Sequence, residues 1–358
     1  MIRLATFLLI LFISTTLLAD EKSIVVKDVL DRSVKIDGKI SRVIALGNSL
    51  SFVSYLNAMD KVIAVEANEK IDTQKRTYTY VNKEVIQNLP VVGAGDNTKQ
   101  LNYEAIIKLN PDVIFTLRHN KNEIKELTSK VKIPVIAVSS GNEILDLNLV
   151  KKSLQIMGDV LNTEKRSEEL ISYIKSLEES FKKIEKRKEA YICGLPFKDL
   201  RGLNSTKGDY FAFNIANVNN SIAKFHQKGN ILLNGEFLID HNPPIIFVDA
   251  LGLEKIKNEF RKNKKYFKKL QAFENAQTFS LLASNYYFYN NVDQMLANSF
   301  FVAKTLYPDA YKEINPIEKA NEIFEMFVNK PMYKLLAKEL SGFKKLTIDS
   351  NNLVLEEI

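Results

Sequence analysis

The chain is poor in the residue types that carry most catalytic and metal chemistry. It has one cysteine, Cys193, and three histidines, His119, His226 and His241, in 358 residues. A single cysteine excludes an internal disulfide, and its place in the apolar run Ala190-Tyr-Ile-Cys-Gly194 reads as a small buried hydrophobe rather than a reactive thiol. The histidines stand alone, with neither an i, i+4 partner nor cysteines at zinc-site spacing, so no bare metal-ion site is expected. There is no Gly-Lys-Ser/Thr phosphate loop, Gly93-Ala-Gly95 lacks the third glycine of a dinucleotide loop, and Gly47-Asn-Ser49-Leu-Ser51 has serine where a nucleophile elbow needs its last glycine. No Gly/Ser-rich hinge interrupts the chain. The apolar run at 4–13 is too short to span a bilayer; preceded by Arg3 and followed by Leu-Leu-Ala19-Asp20, it reads as a secretory signal peptide cleaved after Ala19. No cysteine lies near that position to take a lipid anchor, so a free, unlipidated protein of a Gram-negative periplasm is expected.

What is present is a repeat. Leu101-Asn-Tyr-Glu-Ala-Ile-Ile-Lys-Leu-Asn-Pro-Asp-Val-Ile-Phe115 and Leu233-Asn-Gly-Glu-Phe-Leu-Ile-Asp-His-Asn-Pro-Pro-Ile-Ile-Phe247 share Leu-Asn-x-Glu and Asn-Pro at one spacing. Each reads as an amphipathic helix with a glutamate in its first turn, stopped at Asn-Pro because proline disfavours helical geometry in the residue before it, and followed by a β-branched strand. Two similar α/β lobes facing each other would enclose a cleft. Around the first copy, apolar runs at 43–46, 62–65, 91–93, 113–116 and 135–138 alternate with helical segments, after a hairpin over 23–36 that turns at Asp31; this is the pattern of an open, mostly parallel sheet. The second lobe repeats it with strands at 190–194, 245–248 and 278–282.

Between the lobes a helix is expected from about 163 to 188, its stripe running through Leu170, Ile174, Leu177, Phe181 and Ile184. At that length it would reach roughly 39 Å and act as a rigid strut. The expected divisions are a leader at 1–19, a first lobe at 20–145, linking helices at 146–188, a second lobe with closing helices at 189–341, and a tail at 342–358 whose Leu346-Thr-Ile348 reads either as an edge strand or as a fraying end. Removing Arg3 with the leader leaves 49 basic against 43 acidic side chains, a mild excess that favours small anionic ligands and does not point to nucleic acid. The densest basic run, 255–269, interleaves Ile256, Phe260, Tyr266 and Phe267 and reads as a solvated helix face, with contact to a membrane or partner as the alternative.

Ligands of open α/β sheets collect at the loops after the strands. In the first lobe these loops carry Asn48 and Ser49, Arg76, Tyr78 and Tyr80, Asp96 and Asn97, and Arg118 with His119. In the second they carry Lys198, Arg201, Ser205, Thr206, Tyr210, Phe211 and a tyrosine-rich cluster with Tyr286, Asn290 and Asn291. Arginine forks and tyrosine hydroxyls suit carboxylate, catecholate or oxyanion groups, and aromatic faces cover the apolar part of a chelate. The expected ligand contacts are Asn48, Arg76, Tyr78, Arg118, His119, Lys198, Arg201, Tyr210, Tyr286 and Asn290, with no catalytic residue and no resident cofactor.

With the repeat and the interlobe helix, the segments Gly194-Leu-Pro-Phe-Lys-Asp-Leu-Arg-Gly-Leu-Asn-Ser-Thr206, Asp209-Tyr210, Tyr289-Asn-Asn-Val-Asp293, Leu-Ala-Asn298 and Lys304-Thr-Leu-Tyr-Pro308 resemble periplasmic substrate-binding proteins of the iron-chelate and vitamin B12 ABC importers. The resemblance covers nearly the whole mature chain. It implies a monomeric, non-enzymatic bilobal protein that captures an anionic metal chelate, a ferric siderophore or related iron complex first, and delivers it to an inner-membrane permease dimer with its ATPase subunits. Haem, cobalamin, nickel chelates, molybdate and tungstate are the ligands of similar members and stay open as alternatives; an exported enzyme is the reading from another class. Glu104 and Glu236 match the lobe-tip acids with which that family engages its permease. Members often have histidine where Arg201 stands, which counts against a ligand that needs an imidazole there.

Overall fold

The computed structural model describes residues 23–95, 101–117, 120–142, 144–196, 201–225, 229–286 and 289–358. The leader therefore lies outside the described residues. The first element is the expected hairpin, β1 (Ile24–Lys27) with β2 (Ser33–Ile36). Asp28 fastens its turn by accepting from the backbone N–H of Leu30 (2.9 Å) and Arg32 (3.0 Å), and Asp31 takes the left-handed conformation at φ 63°.

The first sheet follows, through β3 (Val43–Leu46), α1 (Leu50–Tyr55), β4 (Val62–Ala64), α2 (Thr77–Val81), α3 (Lys83–Asn88), α4 (Tyr103–Leu109), β5 (Val113–Thr116), α5 (Lys121–Val131) and β6 (Val135–Ala137). Its strands are all parallel in the order β4-β3-β5-β6, and Val91 bridges in parallel to Val65 beyond β4. Helices cover both faces, which is why β3 and β5 are buried at every position and read as unbroken apolar runs rather than as alternation.

The helices α6 (Leu147–Leu161) and α7 (Glu164–Ser180) pack on each other and lead out of the first lobe. The expected single strut to 188 is corrected here. Helix α7 ends at Ser180, about 25 Å long, and Phe181 turns extended at ψ 131°. Lys182, Lys183, Lys186, Arg187 and Lys188 would crowd like charge onto a continued helix, and the second half offers the strap better partners. Tyr311 Oη accepts from Lys182 N at 2.8 Å, Tyr307 Oη accepts from Lys188 N at 2.9 Å, and the Phe181 ring lies 4.5 Å from that of Phe300.

The second half runs through β7 (Glu189–Cys193), β8 (Ser205–Lys207), α8 (Phe211–Ile215), β9 (Asn219–Asn220), β10 (Asn230–Leu232), α9 (Gly235–His241), β11 (Ile246–Val248), α10 (Leu253–Lys262), α11 (Lys264–Phe267), α12 (Gln271–Glu274), β12 (Thr278–Ser280) and the small hairpin β13 (Asn285–Tyr286) with β14 (Tyr289–Asn290). Three helices, α13 (Val292–Leu306), α14 (Pro316–Val328) and α15 (Tyr333–Leu340), precede β15 (Lys344–Asp349) and β16 (Asn352–Glu356). The sheet order is β16-β15-β12-β11-β7-β9, parallel from β9 to β12 and antiparallel beyond, so the tail is two sheet strands rather than a loose end. In the basic run, Ile256, Phe260 and Phe267 are buried under this sheet, which leaves a solvated cationic face.

The two sheets are built alike: β4-β3-β5-β6 in one corresponds to β9-β7-β11-β12 in the other, and the repeated sequence is α4–β5 in the first and α9–β11 in the second. The repeated helices share both caps. Asn102 and Asn234 accept from Ala105 N (2.9 Å) and Phe237 N (2.6 Å), while Asn110 and Asn242 close the helices in the left-handed conformation at φ 46° and 40° before proline. One apolar core runs through both halves, from Phe52, Tyr55 and Phe115 to Phe213, Phe247, Phe300 and Phe327. Helix α13 packs on α8 and α14, and α14 packs on α1, α2 and α7, so the closing helices bridge the second half to the first.

Candidate functional site

In each sheet the chain starts in a central strand and then places neighbours on both sides, so the strand order reverses between β3 and β5 and again between β7 and β11. The crevices outside the carboxyl ends of those strands are where such sheets take ligands. The two halves meet along a seam crossed by hydrogen bonds. Asn290, at the end of the β13–β14 hairpin, donates through Nδ2 to Ser140 O just after β6 at 3.5 Å, and Asp293 reaches Tyr55 and Thr77 of the first lobe. Gly47 and Gly194, each the residue after the first strand of its sheet, have φ 61° and 74°. At Gly194 the backbone of Gly252 passes so close that a Cβ on Gly252 would lie 2.2 Å from Gly194 Cα.

The first-lobe wall brings together three of the expected residues. The Tyr78 hydroxyl sits against Asn48 Oδ1 and Glu69 Oε2 (2.8 Å), and Arg76 Nη1 donates to Glu69 Oε2 (2.8 Å) and to Tyr78 Oη (2.7 Å). All four side chains are buried. Arg76 Nη2 donates to the carbonyls of Asn68 (2.8 Å) and Ile71 (3.0 Å). Arg76, expected as a ligand contact, is enclosed in this wall. Its guanidinium is fully buried and ion-paired, because Glu66 and Glu69, which follow β4 directly, bring carboxylates inside with it. Glu66 Oε2 accepts from Gly47 N at 2.6 Å and fixes the turn that presents Asn48 (φ 68°). Burial pushes the Tyr78 phenol well above its ordinary range, with Arg76 opposing and Glu69 reinforcing.

The second-lobe wall centres on Asp249, which sequence reasoning passed over. It follows β11 and is fully buried; Oδ2 accepts from Ser284 N (2.8 Å) and Oδ1 from Leu251 N (3.0 Å). Burial pushes its carboxyl up to about 6, opposed by those backbone donors. Ser284 in turn shares a 2.7 Å hydrogen bond with Tyr210 Oη, whose ring packs edge-on against Phe213 at 5.1 Å. Tyr210 is thus a buried member of the wall rather than an open aromatic face. The signal for Asp249 was available in the acid ending the apolar run Ile245-Ile-Phe-Val-Asp249, and that for Glu66 and Glu69 in the acids after Ile63-Ala-Val.

The other expected residues divide. Arg118, His119, Lys198, Asp96 and Asn97 lie outside the described residues, as does the side chain of Tyr286, whose backbone pairs with Tyr289. Arg201 is half-buried beside Gly202. Ser205 and Thr206 belong to β8, paired with β10, and are buried. Tyr80 lies under Lys330 Nζ at 5.4 Å from the ring centroid. The Ser49 hydroxyl is held against Leu46 O (2.9 Å) and Phe115 O (3.1 Å). The Gly93–Gly95 segment serves packing, since Ala67 N and Asn68 N donate to Gly93 O and Ala94 O and a Cβ on Gly95 would meet the Asn68 side chain. Cys193 is buried, and burial pushes its thiol up. His241 stacks on Phe237 at 4.2 Å. Glu104 and Glu236 are both exposed. A groove of about 860 Å³ between the segment after β6 and α8 is lined by residues 141–142 and 144–149, Glu178, Phe211, Asn214 and Ile215; among the described residues its titratable groups, Asp146 and Glu178, are acidic, which makes it a poor host for an anion.

Comparison with known proteins agrees with this geometry. The sequence profile of a family described as periplasmic binding protein matches residues 55–283. The molybdate-binding protein MolA of Haemophilus influenzae is 23% identical over 339 residues, covering 88% of this chain and 93% of MolA. The solved structure of MolA bound to molybdate superposes with a TM-score of 0.67 at 21% identity, over 86% of this chain and 98% of that one. The TroA-like periplasmic binding protein FepB of Veillonella parvula gives 0.68 at 20% identity, over 86% and 97%, and Helicobacter pylori CeuE with Ni(II) bound gives 0.64 at 17%, over 88% and 99%. At these identities the structural likenesses establish the fold, two lobes with mostly parallel sheets. The profile match spans well over half the chain, and the protein belongs to the periplasmic binding protein family.

Proposed function

We propose that the chain is the solute-binding component of an ABC importer and that it captures an anionic ligand at the seam between its lobes, without chemistry of its own. What supports this reading is the pair of equivalent strand-order reversals, between β3 and β5 and between β7 and β11, in two halves joined by the Asn290–Ser140 hydrogen bond. In the sequence Arg118 and His119 follow β5, and Lys198 and Arg201 follow β7. The role of Arg76 changes: balanced by Glu69, it positions Tyr78 and Asn48, so the first wall offers amide and phenol hydrogen bonds and the net positive charge for an anion falls to Arg118, Lys198 and Arg201. Relatives named as binding proteins, together with a Ser49 hydroxyl tied to two carbonyls, favour binding over catalysis.

For the ligand we favour an anionic metal chelate, a ferric siderophore or related iron complex, because Arg118, Lys198 and Arg201 follow strands of the two sheets in sequence and such cations suit a large polyanionic complex. Molybdate or tungstate is the second reading, favoured by the likeness to MolA over 88% of the chain. Partners on this reading are a permease dimer with its ATPase subunits, met through Glu104 and Glu236. The protein is secreted, unlipidated and monomeric. Native mass spectrometry of protein purified from its own periplasm, with metal analysis, tests all of this: an iron-bearing adduct supports the chelate, a molybdenum or tungsten adduct the oxyanion. Absence of either, with no binding across a panel of ferric siderophores, haem, cobalamin, nickel chelates, molybdate and tungstate, would overturn the anionic reading.

A further inference from the structure

Among the described residues, Asp293 stands apart from the other acids in first turns of α-helices. Glu104, Glu236 and Glu318 occupy comparable positions and are exposed, where a first-turn acid meets the helix dipole at little desolvation cost. Asp293, in the first turn of α13, is buried. Burying a carboxylate is strongly unfavourable unless donors converge on it, and here both side-chain donors come from the other half of the molecule. Tyr55, the last residue of α1, donates to Oδ1 at 3.1 Å, and Thr77, the first residue of α2, donates to Oδ2; Gln294 N adds a bond from Asp293's own helix at 3.0 Å. Both hydroxyl-bearing residues are buried, and Tyr55 is held from its other side by an edge-on contact with Phe327 at 4.9 Å.

The position matters as much as the burial. Thr77 lies between Arg76 and Tyr78, whose side chains build the first wall against Asn48, and Asp293 follows two residues after Asn291, beyond the β13–β14 hairpin whose Asn290 reaches Ser140. We infer that Asp293 is the positioning residue that keys the two lobes together, with the Thr77 and Tyr55 hydroxyls as its counterparts, so that the Asn48–Tyr78 wall and the 285–291 hairpin are held in one register. A hydrogen-bonded carboxylate with two donors from the opposite lobe fixes distance and orientation in a way that apolar contact across the same seam does not.

The keying is symmetrical in free energy, so loosening it from either side must be felt on the other. The test is hydrogen–deuterium exchange on the full mature protein without ligand. Thr77→Val keeps shape and removes one donor from the first lobe; it should speed exchange in the first turns of α13, in the second half, about tenfold or more, while strands β3, β5, β7 and β11 exchange as in the wild type. Asp293→Asn should speed exchange across 77–81 in the first lobe, and the double variant should add little to the larger single effect. Thr77→Ser, which restores the hydroxyl, should return α13 toward wild-type exchange. Faster exchange confined to the mutated lobe, an equal rise over all strands, additive effects in the double variant, or failure of serine to restore protection would each overturn the inference; Thr77→Val carries the test alone if Asp293→Asn does not fold.

Discussion

At the scale of single residues, burial decides roles that residue type left open. Arg76 is the plainest case: as an arginine after a sheet strand it suits a ligand anion, but it is enclosed with Glu69 and two backbone carbonyls. Arg76→Ala should therefore destabilise the protein by about 3–5 kcal/mol, because Glu69 is left charged and buried without its cation. Thermal unfolding checks this, and Arg76→Met with Glu69→Leu should recover part of the loss; an unchanged melting temperature for Arg76→Ala would show that the pair is dispensable. Asp249 makes a second prediction. Its folded-state carboxyl is pushed up to about 6, above the roughly 3.9 of an unfolded aspartate. A raised folded value means that the folded state holds the proton more tightly, so the stabilisation is complete below about pH 4 and is lost as pH rises through 6. Urea unfolding of wild type and Asp249→Asn should then show the wild type losing on the order of 1–3 kcal/mol relative to the variant between pH 4.5 and 7. A difference that stays flat across that window would contradict the burial argument.

At the scale of elements, the repeat was legible because it is written in local chemistry. Asparagine caps at both ends, a first-turn glutamate and a following proline fix a short helix wherever they occur, and α4 and α9 use them identically. Glu104 and Glu236 project from equivalent turns and are exposed, so replacing both by lysine should leave ligand affinity and melting temperature within about 0.5 kcal/mol of wild type. The same double variant should sharply reduce ligand-stimulated ATP hydrolysis by the reconstituted importer, since like charge would meet a basic docking pocket. Unimpaired stimulation would reduce the two acids to helix-start residues. Helix α7 shows the opposite situation. Its apolar stripe continues in sequence through Phe181 and Ile184 into a run of like charge, and the Tyr307 and Tyr311 hydroxyls, more than a hundred residues away, draw the strap out of the helix.

At the scale of the whole molecule, rigidity comes from the shared core and the spanning helices rather than from one long strut. Helices α13 and α14 pack on elements of both lobes, and the principal core is continuous across the seam. Opening the lobes widely would expose that core, so small-angle scattering with and without ligand should show the radius of gyration changing by no more than about 1 Å. A contraction of several ångströms would mean that the seam opens as a hinge.

The sequence by itself determined the two-fold α/β plan, the principal strands and their mostly parallel character, the repeated capped helices and the buried character of Cys193, because periodicity, caps and unbroken apolar runs are properties of neighbouring residues. It named Asn48, Arg76, Tyr78, Tyr210 and Asn290 as polar groups after strands, and in the fold all five are buried. Only the tertiary structure decided which way each of them faces. Whether Arg76 meets a ligand or Glu69, whether Asp293 caps a helix or joins two lobes, and whether the tail frays or extends a sheet depend on partners far along the chain, and the desolvation that makes those pairings matter exists only once the core has closed.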